Sequence, residues 1–185
     1  MQEKFAGYAF GGISDAARIG YGVEDNARIL HRFAYIERQL MHVMAGHLIS
    51  VPEWEVKIML GRHLYEDSEH HQLLRVRISE LRKSERSVDR SPDEALTAVF
   101  DELIRAANTL ELLAGIYQVI KPGLVAAYHG HIKHCNPLVD YNTGRALRLI
   151  MMEEAEHVQL GQAYLESLLV DEAGREQAEA FASHL

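Results

Sequence analysis

Two short stretches of the sequence place a carboxylate three residues before a histidine. Asp67 precedes His70 in the first stretch, and Glu154 precedes His157 in the second. In an α-helix this spacing puts both side chains on one face, about one turn apart. Such a pair can bind one metal ion. Two pairs that face each other, with one further carboxylate from each of two other helices, can bind two.

The apolar pattern predicts the helices that position the first pair. A helix is expected over residues 24–51, with Glu37 on its apolar seam, and a second over residues 52–82. Pro52 marks the reversal between them. Glu37 and Asp67 lie 15 residues on either side of Pro52, so an antiparallel hairpin puts both at the same height.

The second half of the chain repeats this arrangement. A third helix is expected to begin with Ser91 as its N-cap, and its apolar stripe includes Glu111. Residues 122–123, Pro and Gly, are expected to kink or break it. A fourth helix carries Glu154 and His157. If the kinked helix resumes over residues 124–132, the midpoint between Glu111 and Glu154 falls near residues 131–132, and the second hairpin also places these two carboxylates at the same height.

Six polar residues therefore fall on predicted apolar seams: Glu37, Asp67, His70, Glu111, Glu154 and His157. Burying four carboxylates without a cation costs several kcal/mol for each ion, so unpaired burial is implausible. The arginines fall mostly off the seams. Two divalent metal ions are the simplest compensation.

Two alternatives remain open at this stage. A competing register pairs Glu66 with His70 and Glu153 with His157, because residues four apart also share a helix face. His63, one turn before Asp67, is interpreted as a hydrogen-bond partner of a ligand, a substrate contact or a core histidine.

These residues resemble the ferritin-like superfamily of carboxylate-bridged di-iron proteins, whose four helices carry Glu, Glu-x-x-His, Glu and Glu-x-x-His in turn. The resemblance covers residues 24–170. It departs at Asp67, where glutamate is usual. It implies an all-α fold, a ferritin-like four-helix bundle, preceded by an N-terminal strap over residues 1–22. A short C-terminal helix is expected in residues 171–185, with Gly174 as a weak point.

The resemblance also implies a function. Two iron ions, or Mn/Fe or Mn/Mn in their place, would be held by the six residues, with no catalytic residues beyond these ligands. The protein would activate O2 to oxidise a small organic substrate, with electrons from a separate donor protein. The alternative is a ferroxidase or iron-storage protein with the same ligands and no organic substrate. A metal-free scaffold would need the polar seam residues to pair among themselves. A homodimer and a shell are both compatible with the sequence.

One feature conflicts with a ferritin-like topology. Its second and third helices run parallel, so their connection spans about 40–50 Å, whereas the polar loop of residues 83–92 reaches only about 34 Å. We therefore expect extended chain beyond this loop, or else an up-down-up-down bundle.

Composition limits the other classes of function. The chain has 185 residues, which predicts one domain over residues 1–185. A net charge of −8 and a pI of about 5.7 argue against binding nucleic acid or anionic membranes. Cys135 is the only cysteine, which excludes an internal disulfide. With no apolar segment of about 18 residues and no targeting signal, a cytoplasmic protein is predicted.

Two further groups of residues have simpler explanations than chemistry. His129, His131, His134 and Cys135 do not match a zinc-site spacing, and exposed imidazoles on a helix and turn are expected instead. Tyrosines that could serve radical chemistry are expected to pack in the core: Tyr35, Tyr65, Tyr117 and Tyr164.

Overall fold

The computed structural model describes residues 20–84, 88–136 and 140–185. Most of the predicted N-terminal strap therefore lies outside the described residues. In the part that is described, the fold is all-α, as the sequence predicts. Its helices are α1 (Val23–His47), α2 (Trp54–Glu80), α3 (Glu94–Leu103), α4 (Thr109–Ala114), a π-helical turn (Gly115–Ile120), α5 (Lys121–His134), α6 (Tyr141–Leu168) and α7 (Glu172–His184).

α1 and α2 form the antiparallel hairpin predicted around Pro52. The carbonyl oxygen of Ala34 lies 2.8 Å from Nδ1 of His71, near the middle of the pair. The predicted apolar seams form the core. Their buried members are Leu30, Phe33, Leu40 and Met44 in α1, Val56, Leu60, Leu74 and Ile78 in α2, and Leu147 and Ile150 in α6.

α6 runs antiparallel to α2, whereas α5 runs parallel to α2. Arg77, late in α2, donates to Asp140 just before α6 at 2.6 Å. His63, early in α2, stacks on His157, late in α6. The parallel pair is shown by two contacts with the same separation in sequence, 54 residues: His63 with Tyr117, and Asp67 with Lys121.

The connection between the parallel helices is longer than the predicted loop. It comprises residues 81–108 and contains α3, which lies along α1 and runs parallel to it. The rings of Tyr35 and Phe100 are 6.3 Å apart, and Nε2 of His47 lies 3.1 Å from the carbonyl oxygen of Ile104. The predicted third helix thus contributes its first part to the crossover, and an up-down-up-down arrangement does not form.

The predicted third helix is divided because polar caps interrupt it. α3 begins two residues later than expected, with Asp93 as its N-cap, and the Asp93 carboxylate accepts the N–H of Leu96 at 2.8 Å. Asn108 then caps α4. Pro122 does not end the helix, since it lies in the first turn of α5 directly after the π-helical turn. The π-helical turn just before it interrupts the regular α-helical hydrogen-bond pattern.

The helical stretch Thr109–His134 is long and apolar enough to cross a membrane by length and composition alone. However, 44% of its most apolar window is buried inside the fold. A core helix passes the same test. At the C-terminal end α7 packs on α4 and the π-helical turn, with Ala178 buried.

Candidate metal centre

Four of the six predicted residues meet at the centre of the fold. Glu37 comes from α1, Asp67 and His70 from α2, and Glu154 from α6. Their ligand atoms all lie within 4.8 Å of one another, and all four side chains are buried. We call these four residues the carboxylate cluster. The cluster could hold a metal ion.

Three atoms of the carboxylate cluster make no hydrogen bond: Oε2 of Glu37, Oε2 of Glu154 and Nδ1 of His70. Nδ1 of His70 lies 3.6 Å from Oε1 of Glu37 and 3.4 Å from Oε1 of Glu154. A buried polar atom without a partner costs about 1–3 kcal/mol, so such atoms are rare in folded proteins. Here they belong to residues from three helices, and each of these residues has a ligand atom within 4.8 Å of those of the others.

In both histidines of the repeated motif, His70 and His157, the Nε2 atom that points away from the centre of the site contacts a carboxylate. Nε2 of His70 lies 2.8 Å from Glu153, and Nε2 of His157 lies 2.7 Å from Glu66. This leaves each Nδ1 directed inward. Histidine ligands of metal ions characteristically donate their other N–H to a carboxylate, which fixes the ring. Glu66 and Glu153, the alternative ligands, therefore lie on the outer side of the rings and outside the carboxylate cluster.

A lysine that the sequence reasoning missed lies at the centre of the site. Nζ of Lys121 donates to Oδ1 of Asp67 at 2.8 Å and to Oε1 of Glu154 at 2.6 Å. It also lies 3.1 Å from Nδ1 of His157. All four side chains are buried. Burial opposes the charge of Lys121, but Asp67 and Glu154 outweigh it and raise its pKa.

The protonation of the site follows from burial and neighbouring charges. Burial and the charge of Glu154 raise the pKa of Glu37 to about 7. Burial alone would lower the pKa of His70, yet the adjacent carboxylates of Glu154 and Glu37 raise it to about 11. Asp67 and Glu154 likewise overcome burial and raise the pKa of His157 to about 9.

Three carboxylates therefore face three groups that readily carry a proton: Lys121, His70 and His157. The site can approach neutrality through its own residues. A metal ion that binds here must displace a proton from each histidine that it takes as a ligand.

Glu111 does not join the carboxylate cluster, which corrects the predicted ligand set. Its side chain caps α4: Oε2 accepts the N–H of Ala107 at 2.7 Å, and its own N–H donates to Asn108 at 3.1 Å. Oε1 accepts from Gln177 of α7 at 2.8 Å. The bond from Glu111 to Asn108 is one half of a capping box, whereas the Glu111 carboxylate reaches one residue beyond the cap, to Ala107.

The error arose from the assumed position of the second reversal. A reversal near residue 132 pairs Glu111 with Glu154, but α5 continues to His134 and the chain reverses between that residue and Tyr141. Lys121 is then the residue level with Glu154. One signal could have revealed it. Lys121 continues a buried stripe at steps of three and four: Ala114, Tyr117, Lys121, Leu124 and Tyr128.

A second group adjoins the carboxylate cluster. Ligand atoms of His63, Glu66 and His157 lie within 4.8 Å of one another. The His63 ring stacks on His157 with centroids 3.9 Å apart, and its Nδ1 lies 2.7 Å from the hydroxyl of Tyr117. Burial, reinforced by the charges of His157 and Lys121, lowers the pKa of His63 to about 2, so this ring is neutral.

A surface groove of about 290 Å³ reaches this second group between α2 and α6. Arg62 and His63 line it on one side, and Glu156, His157 and Leu160 on the other. We call it the α2–α6 groove. A larger cavity of about 420 Å³ lies elsewhere, where the loop after α1 meets the start of α4.

The remaining candidates are placed as follows. Tyr128, which was not among the predicted tyrosines, donates its hydroxyl to Oε1 of Glu37 at 2.5 Å. Tyr35 and Tyr117 are buried, as expected for packing, whereas Tyr65 is exposed. His131 is buried against Tyr21, which corrects the expectation of an exposed imidazole.

His129 and His134 are exposed, as expected, and Cys135 is buried. Among the described residues, none of these joins a group that could hold a metal ion.

No protein-family model, curated protein or solved structure matches the chain. Function is therefore inferred from the geometry of the site. Carboxylate oxygens and imidazole nitrogens are ligands that Fe(II), Mn(II) and Zn(II) all accept.

Proposed function

We propose that the protein is an iron-dependent oxidoreductase of the ferritin-like type, which uses O2 to oxidise a small organic substrate. The observation that carries this proposal is that Glu37, His70 and Glu154 face one another at the centre of the fold and each keep one buried atom without a hydrogen-bond partner. An ion ligated by these atoms would satisfy all three at once. Manganese in place of iron is the alternative that the same ligand types allow.

The course of the chain supports the ferritin-like part of the proposal. The long helix that carries the first Asp-x-x-His pair runs parallel to α5, and a crossover of residues 81–108 connects them. Four long helical segments thus surround the carboxylate cluster: α1, α2, α6, and α4 with its continuation through α5.

Iron, when bound, would supply the redox chemistry with O2, and a separate donor would supply electrons. The surrounding residues orient the ligands and hold a proton near them. Glu153 holds the His70 ring with its Nδ1 inward, and Tyr128 fixes one oxygen of Glu37. Lys121 keeps a proton on Nζ between Asp67 and Glu154. The surrounding apolar core excludes water from the carboxylates.

The α2–α6 groove is the proposed route for an organic substrate. It ends at His63 and His157, and Nδ1 of His157 lies 3.3 Å from Oε1 of Glu154. Its volume of about 290 Å³ suits a small molecule. A ferroxidase without an organic substrate would use the same ligands but would have no need of this groove.

The test is anaerobic loading with Fe(II), removal of free metal and measurement of bound iron, followed by O2 uptake. The wild type should retain iron in a stoichiometric amount. His70→Ala should lose it, and His129→Ala, which changes an exposed histidine of α5, should keep it. Retention of only traces of iron by the wild type would refute the proposal.

Candidate small molecules then separate the two functions. An oxidase should take up additional O2 and form product when a suitable compound is present, and a change at Leu160 to tryptophan, which fills the α2–α6 groove, should suppress this extra uptake. O2 uptake that follows only the amount of added Fe(II), together with a large shell by light scattering, would favour the ferroxidase.

A further inference from the structure

We infer that the ammonium group of Lys121 takes the place of one of two metal ions, so that each chain binds a single divalent ion on the His70 side of the site. This inference rests on the proposed metal binding at the carboxylate cluster. The inferred site differs from a two-metal site in the number of ions. It also differs in the third long helical segment, α4 with its continuation through α5, which supplies a lysine instead of a carboxylate ligand.

The contacts of Lys121 show that its ammonium group lies where a second metal ion would bind. Its Nζ lies 2.6 Å from Oε1 of Glu154, 2.8 Å from Oδ1 of Asp67 and 3.1 Å from Nδ1 of His157. These are the two carboxylates and the histidine that would hold a second ion. A small divalent metal ion binds carboxylate oxygens at about 2.0–2.2 Å. An ion held by Asp67 and Glu154 would therefore occupy the space that the ammonium group of Lys121 fills.

Among the described residues, no ammonium group lies on the opposite side of the site, where His70 faces Glu37 and Glu154. Oε2 of Glu37, Oε2 of Glu154 and Nδ1 of His70 make no hydrogen bond although all three atoms are buried. Nζ of Lys121 donates instead to Asp67 and to the other oxygen of Glu154, and it lies 3.1 Å from Nδ1 of His157. One set of ligand atoms is thus satisfied from within the chain, and the other is available to an ion.

Charge balance leads to the same number of ions. A site with four carboxylates carries about the charge that two divalent ions neutralise. Here the fourth carboxylate is absent, because Glu111 caps α4, and Lys121 brings a positive charge instead. Exchanging a carboxylate for an ammonium changes the buried charge by two units, the charge of one divalent ion. A second ion would leave uncompensated positive charge in the core, which is costly.

The inference is tested by counting bound ions in variants of Lys121. Wild-type protein is titrated anaerobically with Fe(II), and separately with Co(II), and bound metal is measured per folded chain. One ion per chain is expected. Lys121→Glu, which supplies a carboxylate from the same helix in a side chain one atom shorter, should bind two.

Two further variants make the result independent of how well Lys121→Glu folds. Lys121→Met removes the charge and should also gain a second ion, with at least tenfold higher affinity than any second binding in the wild type. Lys133→Glu changes an exposed lysine of α5 and should stay at one ion. Circular dichroism establishes that each variant is folded before metal is counted.

The outcomes separate this inference from the proposed function. Two ions in the wild type would overturn the single-ion site and leave the proposed metal binding intact. One ion in both Lys121 variants would also overturn it, because the lysine would then not be what excludes the second ion. Absence of bound metal from the wild type would overturn both proposals.

Discussion

Replacement of Lys121 by methionine should destabilise the metal-free protein strongly. Methionine nearly matches the length and volume of lysine but carries no charge. Lys121, Asp67 and Glu154 are all fully buried, and the ammonium lies 2.8 Å and 2.6 Å from the two carboxylates. Removing one partner of a buried ion pair costs about 3–5 kcal/mol. We expect the lower end, because the pKa of Glu37 is about 7 and this group can take up a proton in response.

The assay is unfolding by urea and by heat at pH 7 in the presence of a chelator. A loss of about 3 kcal/mol corresponds to a fall of about 6–12 °C in Tm for a chain of this size. Lys133→Met, an exposed change in the same helix, should alter stability by less than about 0.5 kcal/mol. A divalent ion at 100 times its Kd should restore about 2.7 kcal/mol to the Lys121 variant.

Equal stability of the Lys121→Met variant and the wild type in chelator would refute the reasoning. It would mean that Asp67 and Glu154 do not depend on the ammonium group for their burial. A loss of stability that no divalent ion reverses would refute a narrower point, namely that metal and lysine compensate the same charges.

Three other changes have defined consequences. Tyr128→Phe removes the donor from a buried carboxylate oxygen and should cost about 1–3 kcal/mol in chelator; unchanged urea unfolding would contradict this. Gly161→Ala places a Cβ 2.2 Å from the ring of Tyr117 and should destabilise by about 1–3 kcal/mol, whereas Gly123→Ala, with nothing within 4 Å, should stabilise slightly. Burial lowers the pKa of His131 to about 4, so the unfolded chain binds a proton more readily than the folded one and stability falls as pH drops from about 6.5 to 4. His131→Leu should reduce that fall by on the order of 3 kcal/mol, and identical pH profiles would show that this ring is not responsible.

The elements that depend on local pattern could be predicted from the sequence. The seams of α1, α2 and α6 repeat every three or four residues without interruption, and the helices form where the pattern places them. Pro52 marks the first reversal. Because that reversal is short, the equal spacing of Glu37 and Asp67 from Pro52 was enough to bring both into the carboxylate cluster.

The crossover and the third long helix could not be predicted in the same way. Apolar periodicity continues through the region where α3 ends at Leu103 and Asn108 begins α4, so the pattern does not show the division. The stabilising cap is a local hydrogen bond between Asn108 and Glu111, which competes with a continuous helix. Glu111 therefore caps a helix instead of facing the other carboxylates.

The sequence by itself determined which side chains share a face of one helix, because 3.6 residues per turn makes that a property of spacing alone. This brought out both carboxylate–histidine pairs. Tertiary structure alone decided which residue of the third long helix lies level with them. That level depends on where the chain reverses after α5 and on the π-helical turn before it. The same reversal places the ammonium group of Lys121 where the spacing of the motif predicted a second metal ion.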